Sequence, residues 1–574
     1  MPTGSPLDHF RHRLTAALAQ ALGIVPESIK LERPRDPSHG DFAFPCFQLA
    51  KERKQAPPAL ASEIAGKLAG LEHISAKTAG PFLNFTIDRT ELARRVLTAA
   101  FDPAYGGGNE GAGKTIVLDY SSPNIAKRFH IGHLRSTVIG MAIRKMCEAR
   151  GFRVVGINHI GDWGSQFGKL LTALRRYSSE AALDAAAATG TAIEHLHEIY
   201  VHYHEDEEKG GDLAKELAAE SRKWFLDLES GAENEARRLW KKMTTLSLAE
   251  FERIYRRLNV TFTEIRGESA YEPDLAPTVR RIKEAGVTRI SEGALVIDVE
   301  GSEKPALLQT GDGTTLYLTR DLASVFYRKE TYKFWKAVYV VGSDQRDHFR
   351  ELKLVVKRLG LPWWDDIEHA YFGMMRLPEG KMSSRKGRVV ILEDVLDSAV
   401  EQVRTLVREK NPNLQHADEV AEQVGIGAVV FNDLKNDRRR DVVFSWQEVL
   451  NFDGETGPYC QYTHARLASI VRKSGQTPSA EADPALAGEG AQLLLAIGRF
   501  PETVALAAER FEPHLLASAT VELAQLANAY YRDHRVLDAG SQQLVAARLA
   551  LVEAARRTLA RALALLGIAA PAEM

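Results

Sequence analysis

The tetrapeptide His130-Ile131-Gly132-His133 sets two imidazoles three residues apart around a glycine. At the N-terminus of a helix, such a pair adds side-chain donors to unpaired backbone N–H groups and a favourable helix dipole, an arrangement suited to phosphate oxygens. Gly132 lacks a Cβ, so a purine ring can approach the backbone there. Two helix-capping histidines are the plainer alternative. From the composition, H-x-G-H arises by chance roughly 0.04 times in a chain of this kind, so its context must decide. Much later, Gly380-Lys381-Met382-Ser383-Ser384-Arg385-Lys386-Gly387 is a glycine-bounded loop carrying several cations and two hydroxyls. It suits a mobile clamp on a polyphosphate, although on its own it reads equally as a solvated turn. Tyr317 and Asp321 stand four residues apart, so in a helix they share one face and converge on one ligand.

Two other patterns fail on geometry. Residues 108–115 satisfy G-x-x-x-x-G-K-T, but a phosphate-binding loop needs a strand entering and a helix leaving. Here a helix ending near Phe101 enters and a strand beginning at Thr115 leaves, which predicts a flexible hinge. In the stretch His195 to His204, a helical zinc site needs histidines four apart on one face. His197 and His202 are five apart, with Val201 in the required place, so a solvated aromatic-rich helix is expected and no metal site is assigned.

The elements that must position the first motif are legible around it. Thr115-Ile116-Val117-Leu118-Asp119-Tyr120 is a short apolar run suited to a buried parallel strand, and a second strand is expected at Phe152–Gly156 after a helix starting near His133. That β–α–β spacing predicts an α/β fold with a doubly wound parallel sheet, and the C-terminal end of its first strand is where nucleotides bind. Residues from about 166 to 257 read as a helical insertion, after which strand signals return at Ala294–Ile297 and Ala337–Val341. The glycine-rich segment 106–113 marks a boundary, giving a small α+β N-terminal domain over 1–112, a catalytic domain over 113–391 and an all-helical bundle over 392–574.

Composition narrows the function classes. The 574 residues carry 74 Lys plus Arg against 76 Asp plus Glu, a net charge of −2, which excludes a globally basic nucleic-acid coat. Three widely spaced cysteines, Cys46, Cys147 and Cys460, build neither a disulfide framework nor a Cys-rich zinc site. No signal peptide and no apolar run long enough for a membrane span is visible, so a cytoplasmic protein without membrane partners is expected.

Taken together, H-x-G-H and the Lys381 loop resemble the paired signatures of class I aminoacyl-tRNA synthetases, whose catalytic sheet is of Rossmann type. The run Ser121 to Thr137, Asn158-His159-Ile160-Gly161-Asp162-Trp163-Gly164, Gly267-Glu268-Ser269, Tyr317 to Ala323, Val341 to Phe349 and Gly457 to Arg466 resemble arginyl-tRNA synthetases. The resemblance covers nearly the whole chain. Its N-terminal part, with Gly40-Asp41-Phe42-Ala43 and Gly80 to Phe85, resembles the extra tRNA-binding domain of that family. Arg128 departs from the proline that many members carry, and Asp119 replaces a glutamate found in some.

The resemblance implies activation of arginine by ATP to an adenylate, with release of pyrophosphate and transfer to the terminal ribose of tRNA. It gives His130 and His133 the triphosphate, with Lys127 and Lys381 offsetting charge on the transferring and leaving phosphates. ATP contacts are implied at Gly132, His348, Met375, Lys381, Ser383 and Ser384, and Mg2+ on the pyrophosphate, without a readable protein cage for it. Because a guanidinium is always charged and presents a planar fork of donors, its pocket needs carboxylates. Asp119, Tyr317 and Asp321 are the implied guanidinium partners, and Ser122, Asn124 and Gln345 hold the α-amino end. Phe82, Asn84, Tyr459, Gln461, Tyr462 and Arg466 are the implied tRNA contacts. For Tyr459 and Tyr462 core packing is the plainer alternative to base stacking, and Arg438-Arg439-Arg440 reads as phosphate contacts or as a solvated run. The family resemblance also predicts a monomer and adenylate formation that requires bound tRNA. An H-x-G-H nucleotidylyltransferase would leave the helical C-terminal region unexplained, and a non-catalytic RNA-binding paralogue would not need His130, His133 and Lys381 together.

Overall fold

The structure, a computed structural model, describes residues 4–68, 70–301, 303–311, 313–376, 390–449 and 454–574. At the centre is a five-stranded, all-parallel sheet in the spatial order Ile367–His369, Lys336–Tyr339, Thr115–Asp119, Arg153–Asn158, Glu264–Ile265. In sequence order the first strand is therefore central. The chain leaves it through helix Ile131–Ala149 toward one side of the sheet and returns later to fill the other. The reversal falls between Thr115–Asp119 and Lys336–Tyr339, and a crevice opens at their C-terminal ends. Ile116, Val117 and Leu118 are buried, as a strand covered on both faces requires.

Between the second and third strands, five helices run from Ser165 to Arg257 and bury their own apolar cluster around Trp163, Phe167 and Trp240. Ala294–Ile297, expected to continue the parallel sheet, instead forms the middle of a separate antiparallel sheet with Thr288–Ser291 and Ala306–Gln309. A four-residue apolar run suits either sheet equally, and the turn at Glu292-Gly293, both with positive φ, closes it as a hairpin. The glycines of segment 106–113 do not form a flexible hinge. A Cβ on Gly106 would stand 2.3 Å from the Phe500 ring, and one on Gly111 2.2 Å from Phe152 N. Arg150 donates to the carbonyls of Gly106 and Gly107 at 3.2 and 2.7 Å, so the segment is docked on the C-terminal end of helix Ile131–Ala149.

The N-terminal part combines helix Asp8–Leu22 and three further α-helices with a three-stranded antiparallel sheet whose middle strand is Phe82–Ile87. The C-terminal part is a bundle of long helices from Leu392 to Leu565. The two ends of the chain meet, since Ser5 Oγ donates to Gly498 O at 2.8 Å and Tyr105 OH to Ile497 O at 2.6 Å within one continuous apolar core. The bundle is also tied to helix Ile131–Ala149 by Arg135. Its guanidinium is fully buried, pairs with Asp433 at 2.9 Å and donates to the carbonyls of Gly373 and Arg440. Arg438 is likewise consumed internally, donating to Phe511 O at 2.9 Å and to Tyr371 O, so of the three-arginine run only Arg439 and Arg440 are exposed.

Candidate functional site

Directly after Asp119 the chain turns sharply, with Ser121, Ser122 and Ala126 all at positive φ (72°, 50° and 58°). Left-handed backbone at non-glycine residues costs of order 1 kcal/mol each and persists only where neighbours over-determine it. They do so here. Ser136 Oγ accepts from Ser121 N at 2.9 Å and donates to Val340 O at 2.6 Å, while the fully buried Asn158 amide oxygen accepts from Ser122 N at 3.1 Å. The turn is thus fixed to the helix that follows it and to both neighbouring strands.

His130 is the N-cap of helix Ile131–Ala149. Its Nδ1 accepts from Gly132 N at 3.1 Å, and His133 Nδ1 in turn accepts from His130 N at 3.1 Å. The two rings stack with centroids 3.8 Å apart. Accepting at Nδ1 fixes the proton of each neutral ring on Nε2, so capping and phosphate donation use opposite nitrogens of the same residue. Burial, reinforced by Lys127, pushes His130 down to about 4, and burial with His130 and Lys127 lowers His133 well below the ordinary range. The pair therefore presents neutral Nε2–H donors throughout the physiological range.

His133 and Gly132 line a cavity of about 640 Å³ at the crevice. All six residues expected around the amino acid line the same cavity: Asp119, Ser122, Asn124, Tyr317, Asp321 and Gln345. Helix Tyr317–Tyr332 presents Tyr317, 76% exposed, and Asp321 together, as their spacing requires. Asn124 sits beside Gly161, where a Cβ would stand only 1.9 Å from its amide oxygen. The individual pairings differ from expectation in two ways. Asp119, expected to read the ligand, already has both oxygens engaged. Arg328 pairs with Oδ2 at 2.7 Å and Ser122 Oγ donates to Oδ1 at 2.8 Å. His348, expected on ATP, pairs through Nε2 with Asp321, and this bond raises its pKa.

Glu268, quoted above only within a tripeptide, also lines the cavity. Its 3-10 turn is held by Asp162, which accepts from Ser269 N at 2.9 Å and Ser269 Oγ at 2.6 Å. Burial, opposed by Arg320 and reinforced by Asp162 and Asp321, pushes the Glu268 carboxyl up to about 7. No spacing rule connects Glu268 to Asp321, because they sit on different elements. A consequence for pH follows from the signs. As pH falls through 7, Glu268 loses its charge while protonated His348 keeps Asp321 occupied, and both changes disfavour a cationic ligand. The Michaelis constant for a guanidinium substrate is expected to rise several-fold between pH 8 and 6, with that for ATP nearly flat. Glu268→Gln is expected to shrink the slope.

Lys381, Ser383 and Ser384 lie outside the described residues. Met375 is half-buried in a two-residue strand paired with Val442 and packs on the core. Of the residues expected to meet RNA, Asn84 and Gln461 are buried instead. Asn84 lies on the middle strand of the N-terminal sheet, on the face opposite the core residues Leu83 and Phe85 and between Ala43 and Lys77 of the neighbouring strands. The Gln461 amide donates to Gln423 O at 3.1 Å and Ala569 O at 2.8 Å, fastening the C-terminal tail. Phe82 meets the exposed Phe47 edge-on, with centroids 5.4 Å apart. Tyr459 accepts from Asn528 at 3.1 Å and is half-buried. Tyr462 and Arg466 line a second concavity of about 730 Å³ with Arg472, Lys473, Tyr531 and Arg535. The last two come from a part of the chain far from Tyr462, which is why no local motif announced them.

Comparison with known proteins agrees with this geometry. The family model for the class I tRNA synthetase (R) catalytic domain matches residues 102–446. A parallel sheet with a histidine pair capping the helix after its first strand, under that match, defines a class I aminoacyl-tRNA synthetase. The arginyl tRNA synthetase N terminal domain matches 8–87 and the DALR anticodon binding domain 460–574. Arginine--tRNA ligases of Enterococcus faecalis and Lactococcus lactis subsp. cremoris are 44% and 43% identical over 548 and 570 residues, covering 95% and 98% of each chain. The solved Thermus thermophilus arginyl-tRNA synthetase superposes with a TM-score of 0.81 at 28% identity, covering 98% of this chain and 100% of that one. The chain belongs to the arginyl-tRNA synthetase family.

Proposed function

We propose that the 640 Å³ cavity carries out both half-reactions of ligating arginine to tRNA. One observation carries this reading: His133 in the first turn of a helix and two carboxylates suited to a guanidinium, Asp321 and Glu268, line a single cavity. In the first step an arginine carboxylate oxygen attacks the α-phosphorus of ATP, an O–P bond forms, and the bond to the β-phosphate oxygen breaks to release pyrophosphate. There is little covalent work for the protein in such a displacement. Alignment and charge neutralisation supply the rate. The Nε2–H groups of His130 and His133 donate to phosphate oxygens, and Lys127 and Lys381 neutralise the charge that builds on the transferring and leaving groups. Ser122, Asn124 and Gln345 orient the α-amino end, so the carboxylate points along the line of attack. In the second step a hydroxyl of the terminal ribose attacks the activated carbonyl and AMP leaves.

Magnesium enters as part of the ATP complex, as substrate. Among the described residues no three or more His, Cys, Asp or Glu are grouped to hold an ion. The concavity around Tyr462, Arg466 and Tyr531 offers stacking faces and cations to an unpaired loop of RNA, and the Phe47–Phe82 pair offers a second stacking face at the other end. We assign the protein to the cytoplasm, as a monomer. No helix of the described residues is long and apolar enough to cross a membrane.

Arginine-dependent exchange of labelled pyrophosphate into ATP tests the first step, and charging of tRNA the second. Exchange is expected with tRNA present and to be at least roughly a hundred-fold weaker without it, because the second substrate completes the site. Rapid exchange in RNA-free enzyme would refute tRNA-completed assembly while leaving the ligase reading intact. Absence of exchange under both conditions would refute the ligase reading itself.

A further inference from the structure

The cavity gathers Asp119, Glu268 and Asp321 along its wall, with Asp162 behind Glu268. Asp162 and Asp321 act as like charges on the Glu268 carboxyl, and a site for a cation must still keep some of these carboxylates charged. Arg328 answers that requirement from inside the protein. It lies on helix Tyr317–Tyr332 on the stripe that carries Tyr317 and Asp321, four and then seven residues further along. Its side chain is 1% exposed and that of Asp119 is 6% exposed, with 2.7 Å between Nη2 and Oδ2. The guanidinium carbon is 5.1 Å from the centroid of Tyr339, itself a wall of the cavity. Tyr271, the last residue of the 3-10 turn that begins with Glu268, adjoins it on another side.

Through these contacts one buried guanidinium joins the strand end bearing Asp119 and Ser122, the turn bearing Glu268, the strand bearing Tyr339, and its own helix bearing Asp321. We infer that Arg328 is a positioning residue for substrate recognition: it permanently occupies Asp119, so that Asp119 shapes the cavity and leaves Glu268 and Asp321 to read the ligand. This rests on the reading that the cavity takes arginine. Arginine is suited to the task because its charge is not lost on burial: Nη2 bonds Asp119, while the flat face of the guanidinium lies against Tyr339, with Nε and Nη1 buried and without a hydrogen-bond partner.

The test is pyrophosphate exchange by full-length enzyme with tRNA present, varying arginine and ATP separately, for Arg328→Met, Arg328→Lys, Asp119→Asn and the Arg328→Met/Asp119→Asn pair. In the wild type, exchange with arginine examines the reading of the cavity. In the variants, the split between the two Michaelis constants examines Arg328 alone. Arg328→Met is expected to raise the arginine constant by about ten-fold or more and the ATP constant by no more than about two-fold, with Arg328→Lys intermediate. The double variant should resemble the worse single one, because the two residues act as one unit. If Arg328→Met does not fold, Arg328→Lys and the double variant, which leaves no uncompensated charge, carry the same comparison. Equal changes in both constants would overturn the inference. So would an Asp119→Asn cost far above that of Arg328→Met, which would return Asp119 to direct contact with substrate.

Discussion

Asp321→Asn is expected to lower kcat/KM for arginine by roughly 30- to 5000-fold, the equivalent of about 2–5 kcal/mol for removing one partner of a desolvated charge pair. The substitution keeps size and shape and removes only the charge. In the free protein Asp321 is paired with His348, and its side chain is 26% exposed. His348 engages only Oδ2, so a guanidinium that binds both oxygens must displace it and complete the burial of the carboxylate. Lysine brings the same charge without the paired parallel donors, so the variant is also expected to discriminate less between the two amino acids. The Michaelis constant for ATP, set by the histidine pair, should change little. Near-normal arginine kinetics would move the principal contact to Glu268, whose carboxylate lines the same cavity. Asp119 is not the alternative, because Arg328 and Ser122 hold both its oxygens.

The difference between Asp119 and Asp321 illustrates what a linear sequence conveys. Position was legible: a residue at the C-terminal end of the first strand and a pair four apart on a helix were both expected at one ligand, and both line one cavity. Pairing was not, because Arg328 lies far along the chain from Asp119 and nothing in the periodicity of either segment marks them as partners. The same limit governs the RNA surfaces. Tyr462 is exposed while Gln461 beside it is fully buried, as adjacent residues on a helix point in different directions and only packing decides which faces the core. Ala294–Ile297 was recognisable as a strand but not assignable to a sheet, since an apolar run states that it is covered and not by what. The helix after the first strand was expected near His133, and it begins two residues earlier, at Ile131, with His130 as its N-cap. Strand end, glycine and histidines all mark it locally, and the structure adds the exact start and shows that the capping atoms are the Nδ1 nitrogens.

That last detail separates two roles that a single alanine variant would confound. In His133→Asn the amide oxygen stands where Nδ1 was and still accepts from the backbone N–H of His130, but nothing remains at the place of Nε2. In His133→Gln the longer amide reaches the place of Nε2 with a donor, while the capping acceptor is lost. The asparagine variant is expected to keep wild-type stability and to lose roughly 10²–10³-fold in kcat for adenylate formation, the usual cost of removing a donor aimed at developing charge. The glutamine variant should retain more of the rate and lose about 1 kcal/mol of stability, as for other lost helix caps. Pre-steady-state adenylate formation and chemical denaturation, measured on both variants, check the two halves independently. Because burial holds His130 at about 4 and His133 lower than usual, the wild-type rate should show no histidine inflection near pH 6.5. An inflection there that disappears in His133→Gln would mean that the ring works as imidazolium. In that case its charge, rather than a neutral Nε2–H donor, would be what the phosphates meet.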